Sequence, residues 1–168
     1  MVAGLNTSSP PSGNATPELV CPAGSLPALK AAVDNGADCV YLGLRDATNA
    51  RNFAGLNFDE QAIATGIRYA HERGSRVFMA LNTYAQAGNV GLWRNAVDKA
   101  ANLGVDAVIL ADPGLMQHAV TRHPKLRLHL SVQGSATHAD AINFYHEQFG
   151  VVRAVLPRVL ALAQVQQV

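Results

Sequence analysis

Short apolar runs alternate with amphipathic stretches from Glu18 to Val168, and four of those runs follow a glycine. Gly36 precedes ADCVYLG, Gly74 precedes SRVFMAL, Gly104 precedes VDAVILA and Gly150 precedes VVRAVLP. A glycine with left-handed dihedrals at a helix C-terminus, followed by a β-rich run, marks a helix-to-strand junction. With ELVCPAG and RLHLSVQG added, the pattern predicts six strands, near residues 18–24, 38–44, 76–82, 106–111, 127–133 and 152–157.

Helix start signals fill the gaps. Ser25 caps a helix with Leu26, Leu29 and Val33 on one face, and Pro27 lies in its first turn, where a missing N–H costs nothing. Asn57 with Glu60 predicts a capping box ahead of Ile63, Ile67 and Ala70. Asn89 precedes a helix that buries Trp93, Val97 and Ala100. Asp112-Pro113 caps the next, and His123-Pro124 ends it. Thr137 with Asp140 opens the helix of Ile142, Tyr145 and Phe149, and LALAQVQQV begins a sixth.

Strand–helix alternation with nearly continuous apolar strands implies a parallel sheet covered by helices. A doubly wound nucleotide-binding sheet needs a glycine-rich phosphate loop after its first strand, and CPAGSLPALK holds a single glycine. Side-chain alternation points to a barrel instead. In RLHLSVQG, Leu128, Leu130 and Val132 face one way while His129, Ser131 and Gln133 face the other. The strand RVFMALNT also turns polar at its end, at Asn82 and Thr83. Polar residues at the C-terminal ends of strands belong to the mouth of a (β/α) barrel. The expected fold is α/β, a TIM-like (β/α) barrel that is incomplete, with about six of the eight units.

Composition narrows the functional classes. Of the 168 residues 49% are hydrophobic and 15% charged, as in a globular domain, and the net charge of +1 gives no strong pull toward nucleic acid. No apolar stretch is long enough for a transmembrane segment and no signal peptide opens the chain, so a cytoplasmic location is expected. Residues 1–17, rich in Ser, Pro, Gly and Asn, read as a disordered tail, and residues 18–168 as the barrel segment. Cys21 and Cys39 are too few for a disulfide framework. No metal spacing such as Cys-x-x-Cys or His-x-x-x-His occurs, so no metal ligand is assigned.

The candidate chemistry gathers after the strands. RDATNARNFAGLNF follows the second strand as a βα loop, where barrels build their sites. Arg51 offers a planar donor fork suited to carboxylate or phosphate, and it lies between turn asparagines and Phe53, expected to be buried. Asn49 either fixes ligand oxygens or satisfies the turn backbone. Asn82, Thr83, Asp112, Ser131, Gln133 and Arg158 are expected on the same face, with a helix-cap role weighed for Asp112. Together these residues describe a substrate-binding mouth for a small anionic or multiply oxygenated ligand. His129 reads as a hydrogen-bonded core histidine, and His71, His118, His123, His138 and His146 as solvated helix residues. No nucleophile elbow of the G-x-S-x-G type occurs, and the catalytic residues stay unassigned.

ELVCPAGSLPALKAAVDNGADCVYLGL, DATNARNFAGLNF, HLSVQGSATHADAINFYHEQFG and RAVLPRVL closely resemble the collagenase-like peptidase family, U-32. Within it the likeness is to the branch that serves ubiquinone biosynthesis, the UbiU group. The resemblance implies a barrel and hydroxylation of a ubiquinone precursor without dioxygen, beside a UbiV-like sister protein. It implies a [4Fe–4S] cluster on four cysteines in the full-length protein. None is expected in this segment, because Cys21 and Cys39 match no cluster position. The family's loop residues correspond to Arg51, Asn49 and Asn57, and its polar strand ends to Asn82, Ser131, Gln133 and Arg158. The chain therefore reads as the N-terminal portion of a longer protein, inactive in redox chemistry alone. Open sheet edges are expected to favour self-association. Collagenase-like peptidase activity, RNA-base hydroxylation and a purely partner-binding scaffold are the alternatives.

Overall fold

The computed structural model describes residues 16–168, so nearly all of the expected N-terminal tail lies outside the described residues. Six strands and their helices follow in strict alternation: β1 (Val20–Pro22), α1 (Leu26–Asp34), β2 (Cys39–Gly43), α2 (Glu60–His71), β3 (Arg76–Leu81), α3 (Val90–Leu103), β4 (Ala107–Leu110), α4 (Pro113–Arg122), β5 (Leu128–Leu130), α5 (Ala139–Phe149), β6 (Arg153–Ala154) and the short α6 (Leu162–Val165). All neighbouring strands pair in parallel, in the order β1-β2-β3-β4-β5-β6. The sheet curls into a half-barrel with helices on its convex side, the α/β TIM-like architecture expected with about six of eight units.

Strand alternation divides the core in two. Val40, Leu42, Val77, Met79, Leu81, Val108, Leu110, Leu128 and Leu130 face the helices and pack with Leu29, Ile63, Trp93, Val97 and Leu115. Burying each such large side chain is worth roughly 1.5–3 kcal/mol, so this layer carries most of the stability. On the concave side a smaller cluster of Cys39, Phe78 and Ala107 packs with Tyr41 and Ile109. One row of register partners crosses that side: Gly43, Ala80, Ile109, His129 and Arg153. Its residues are small on β2 and β3 and polar on β5 and β6, which leaves room along the axis.

Most helix ends follow the sequence signals. Ser25 Oγ accepts from the Ala28 N–H, Asp112 Oδ1 accepts from the Gly114 N–H, and Gly104 and Gly150 close α3 and α5 with φ of 77° and 66°. Two caps differ. Asp59, not Asn57, caps α2, accepting from the Ala62 N–H at 2.9 Å. His138, not Thr137, caps α5, accepting through Nδ1 from Ala141. Nor are the helix histidines free. His118 and His123 both meet Asp98 Oδ1, at 2.9 and 2.6 Å, and His71 meets Asp106 at 2.8 Å.

Candidate functional site

The loop between β2 and α2 is held by amides rather than by apolar packing. Leu44 bridges to the buried Phe58 in parallel, and the Arg45 guanidinium donates to the Asn57 carbonyl, which folds the loop back on itself. Inside that frame Asn49 donates through Nδ2 to the Leu44 carbonyl and to Asn57 Oδ1, and accepts from the Arg51 N–H at 3.0 Å. Asn57 donates to the Arg51 carbonyl at 2.9 Å, and its own N–H reaches the Gly24 carbonyl. Asn82, at the end of β3, accepts from the Ala50 N–H at 3.0 Å. The three asparagines thus position the backbone around Arg51, whose side chain is exposed at the rim.

A cleft of about 990 Å³ opens on the concave side. Asn49, Arg51, Asn82, Ser131, Gln133 and Arg158 all line it, so six of the eight sequence-assigned residues converge there. Thr83 and Asp112 do not. Thr83 Oγ1 donates to the Ala47 carbonyl and accepts from Trp93 Nε1, and Asp112 caps α4 while its other oxygen accepts from the Ala85 N–H. Both hold the mouth together from outside. Phe53, expected to be buried, is 59% exposed and lines the cleft, because Phe58 fills the apolar slot. After β5 a 3₁₀ turn over Val132–Gly134, capped by Ser131, breaks the strand alternation and turns Val132 as well as Gln133 to the cleft. Tyr84 donates its hydroxyl to the Gln133 carbonyl at 3.1 Å and so ties this turn to the β3–α3 loop.

The electrostatics are one-sided. Arg51, Arg153 and Arg158 line the cleft, and among the described residues no Asp or Glu stands in its lining. Beneath it, Glu18 accepts from both Arg76 and Arg153, and these two guanidinium bonds hold its carboxyl down to about 2. One carboxylate against two guanidinium groups leaves the floor positive. His129, 3% exposed, stands edge-on to Phe78 with ring centroids 4.7 Å apart. Burial first, then the nearby arginines, lowers its pKa to about 4, so the imidazole is neutral at pH 7. Sequence reasoning missed Arg153, Tyr41 and Phe78. Period-two alternation in β2 and β3 places Tyr41 and Phe78 on the concave face, and the pairing of β6 with β5 places Arg153 there beside His129.

The donors for a metal cluster are a separate matter. Cys21 packs against the helix-side core while Cys39 belongs to the concave cluster, so the two thiols point to opposite faces of the sheet. Among the described residues no group of three or more His, Cys, Asp or Glu converges as metal ligands. The residues present do not fit a [4Fe–4S] cluster, which takes four thiolates.

Fold and cleft together define an α/β half-barrel of the (β/α) type with an arginine-lined cleft on its concave side. The chain belongs to peptidase family U32, whose sequence profile matches residues 24–168. It is 36% identical over 151 residues to an uncharacterized protease of Methanocaldococcus jannaschii, covering 90% of this chain and 36% of that protein. It is 38% identical over 146 residues to tRNA hydroxylation protein P of Helicobacter pylori, covering 86% and 34%. The chain thus spans about a third of the length of these curated relatives. The solved structure of a U32 peptidase superposes with a TM-score of 0.71 at 16% identity, over 99% of this chain and 71% of that one, and shares the fold.

Proposed function

We propose that this chain is part of a UbiU-type hydroxylation protein that adds a hydroxyl group to the ring of a ubiquinone precursor without dioxygen. The observation that carries this reading is the cleft itself. It is walled by Tyr41 and Phe78, supplied with three guanidinium groups and free of carboxylates, a lining suited to an oxygen-substituted ring. A hydroxylating relative supports the reaction class. The [4Fe–4S] cluster and a UbiV-like partner belong to the same proposal, with no cluster ligand assigned to this chain.

Hydroxylation of an RNA base is the second reading, favoured by the likeness to the tRNA hydroxylation protein of Helicobacter pylori. The net charge of +1 weighs against it, because RNA binding draws on clustered basic charge. Peptidase activity is less well supported. Among the described residues neither Ser131 nor either cysteine hydrogen-bonds a histidine, so no activated nucleophile is assembled.

Deleting the gene and growing the cells with and without oxygen separates the readings. Loss of quinone only without oxygen, with hydroxylated tRNA nucleosides unchanged, is the expected result. The opposite pattern would transfer the function to RNA.

A further inference from the structure

Among the described residues no hydrogen bond reaches either ring nitrogen of His129, although the residue is 3% exposed and belongs to the cleft lining. No fully enclosed side-chain nitrogen or oxygen among those residues lacks a partner. The polar edge of the imidazole therefore opens into the cleft, where a bound molecule can meet it. A polar edge that opens into a cavity while the rest of its ring is buried is placed to meet a molecule bound there.

We propose that His129 is a ligand-binding residue of the cleft floor, exchanging a hydrogen bond with a phenolic hydroxyl on the bound ring. This deepens the reading above and rests on it. Three features select that group. A neutral imidazole offers one donor and one acceptor, and a hydroxyl is the small group that can answer either. Arg153 is the register neighbour of His129, and its cation favours an electron-rich oxygen over an amine. Phe78 stands edge-on to His129 and lines the cleft with Tyr41, giving an aromatic wall at the same depth. Ser131 and Gln133, carried on the turn that follows β5, also line the cleft, and Arg51 and Arg158 of the same lining can hold an anionic substituent.

Calorimetry on the intact protein at neutral pH, with 4-hydroxybenzoate and benzoate as probes, tests the proposal. The wild type should bind 4-hydroxybenzoate about tenfold more tightly than benzoate, the worth of one well-made hydrogen bond. His129→Phe, which keeps a ring against Phe78, should bind both probes alike, at the wild-type affinity for benzoate. Should that variant fail to fold, nitrogen NMR of the wild-type imidazole decides: its signals must shift with 4-hydroxybenzoate and stay with benzoate. Equal binding of the probes by the wild type, a preference that survives His129→Phe, or unmoved imidazole signals overturns the proposal while leaving the cleft as a ring site. Failure of both probes to bind overturns the proposal together with the ring-binding reading.

Discussion

Gly43 and Asn49 meet so closely that a Cβ on the glycine would lie 2.2 Å from the Asn49 Nδ2. The glycine is needed for this approach of a side chain to the strand, since the amide behind it ties Leu44, Arg51 and Asn57 into one unit. Gly43→Ala must push Asn49 out of that unit. The expected cost is about 1–3 kcal/mol, as for other overpacked sites, read from the urea midpoint. Affinity at the mouth should fall with it. Gly91 is the control: nothing lies within 4 Å of its Cβ position near the start of α3. Gly91→Ala should stabilise by about 0.4–1 kcal/mol.

Asn57 carries a second constraint, a left-handed backbone with φ of 74° in a buried position. Its amide bonds to Asn49 and to the Arg51 carbonyl are lost in both Asn57→Gly and Asn57→Ala. Only alanine also bears the left-handed penalty, about 1–2 kcal/mol. Chemical denaturation should therefore rank wild type above Asn57→Gly and that variant above Asn57→Ala. Equal stability of the two variants would show that the backbone relaxes out of the left-handed region.

The same residue shows where the sequence was legible and where it was not. Six strands could be read because period-two apolar runs followed glycines that the helix ends require, and the half-barrel follows from their order. Asn57 reads as a cap because asparagine suits helix starts and left-handed turns equally, and only its bond to the Arg51 carbonyl, six residues back, decides between them. Phe53 and Phe58 share one loop, and nothing local tells which is buried. The pairing of His118 and His123 on Asp98 joins α3 to α4, a tertiary contact that a linear pattern does not hold. Arg153 escaped notice because β6 has two residues, too few to display alternation.

Arg51 and Arg158 form no ion pair among the described residues, whereas Asp112 is committed to backbone N–H groups. Function and stability should separate accordingly. Arg51→Ala and Arg158→Ala should each weaken benzoate binding several-fold, more at low salt than at high salt, and leave stability within about 0.5 kcal/mol. Asp112→Ala should do the reverse, costing about 0.5–2 kcal/mol as a lost helix cap with benzoate affinity retained. Titration calorimetry at two salt concentrations, paired with thermal unfolding, reads both quantities. Unchanged affinity in both arginine variants would remove the mouth from the binding site.

Acid should loosen the half-barrel in two steps set by two groups on its concave side. His129 has a folded pKa lowered from 6.5 to about 4, so the unfolded chain binds its proton first, and stability falls as pH drops from about 6.5 to about 4. Glu18 has a folded pKa lowered from 4.5 to about 2 by Arg76 and Arg153, so its contribution is present above about 4.5 and lost from there down to about 2. The signs agree, and the windows adjoin. His129→Phe should flatten the upper limb of the stability–pH curve and leave the lower one. Glu18→Gln should flatten the lower limb, with an effect that shrinks in high salt because the ion pairs are partly solvated. Urea unfolding at intervals between pH 7 and pH 2 measures both limbs. A wild-type curve flat from pH 6.5 to 4 would mean that His129 takes up its proton in the folded state, and so sits in a wetter floor than its burial implies.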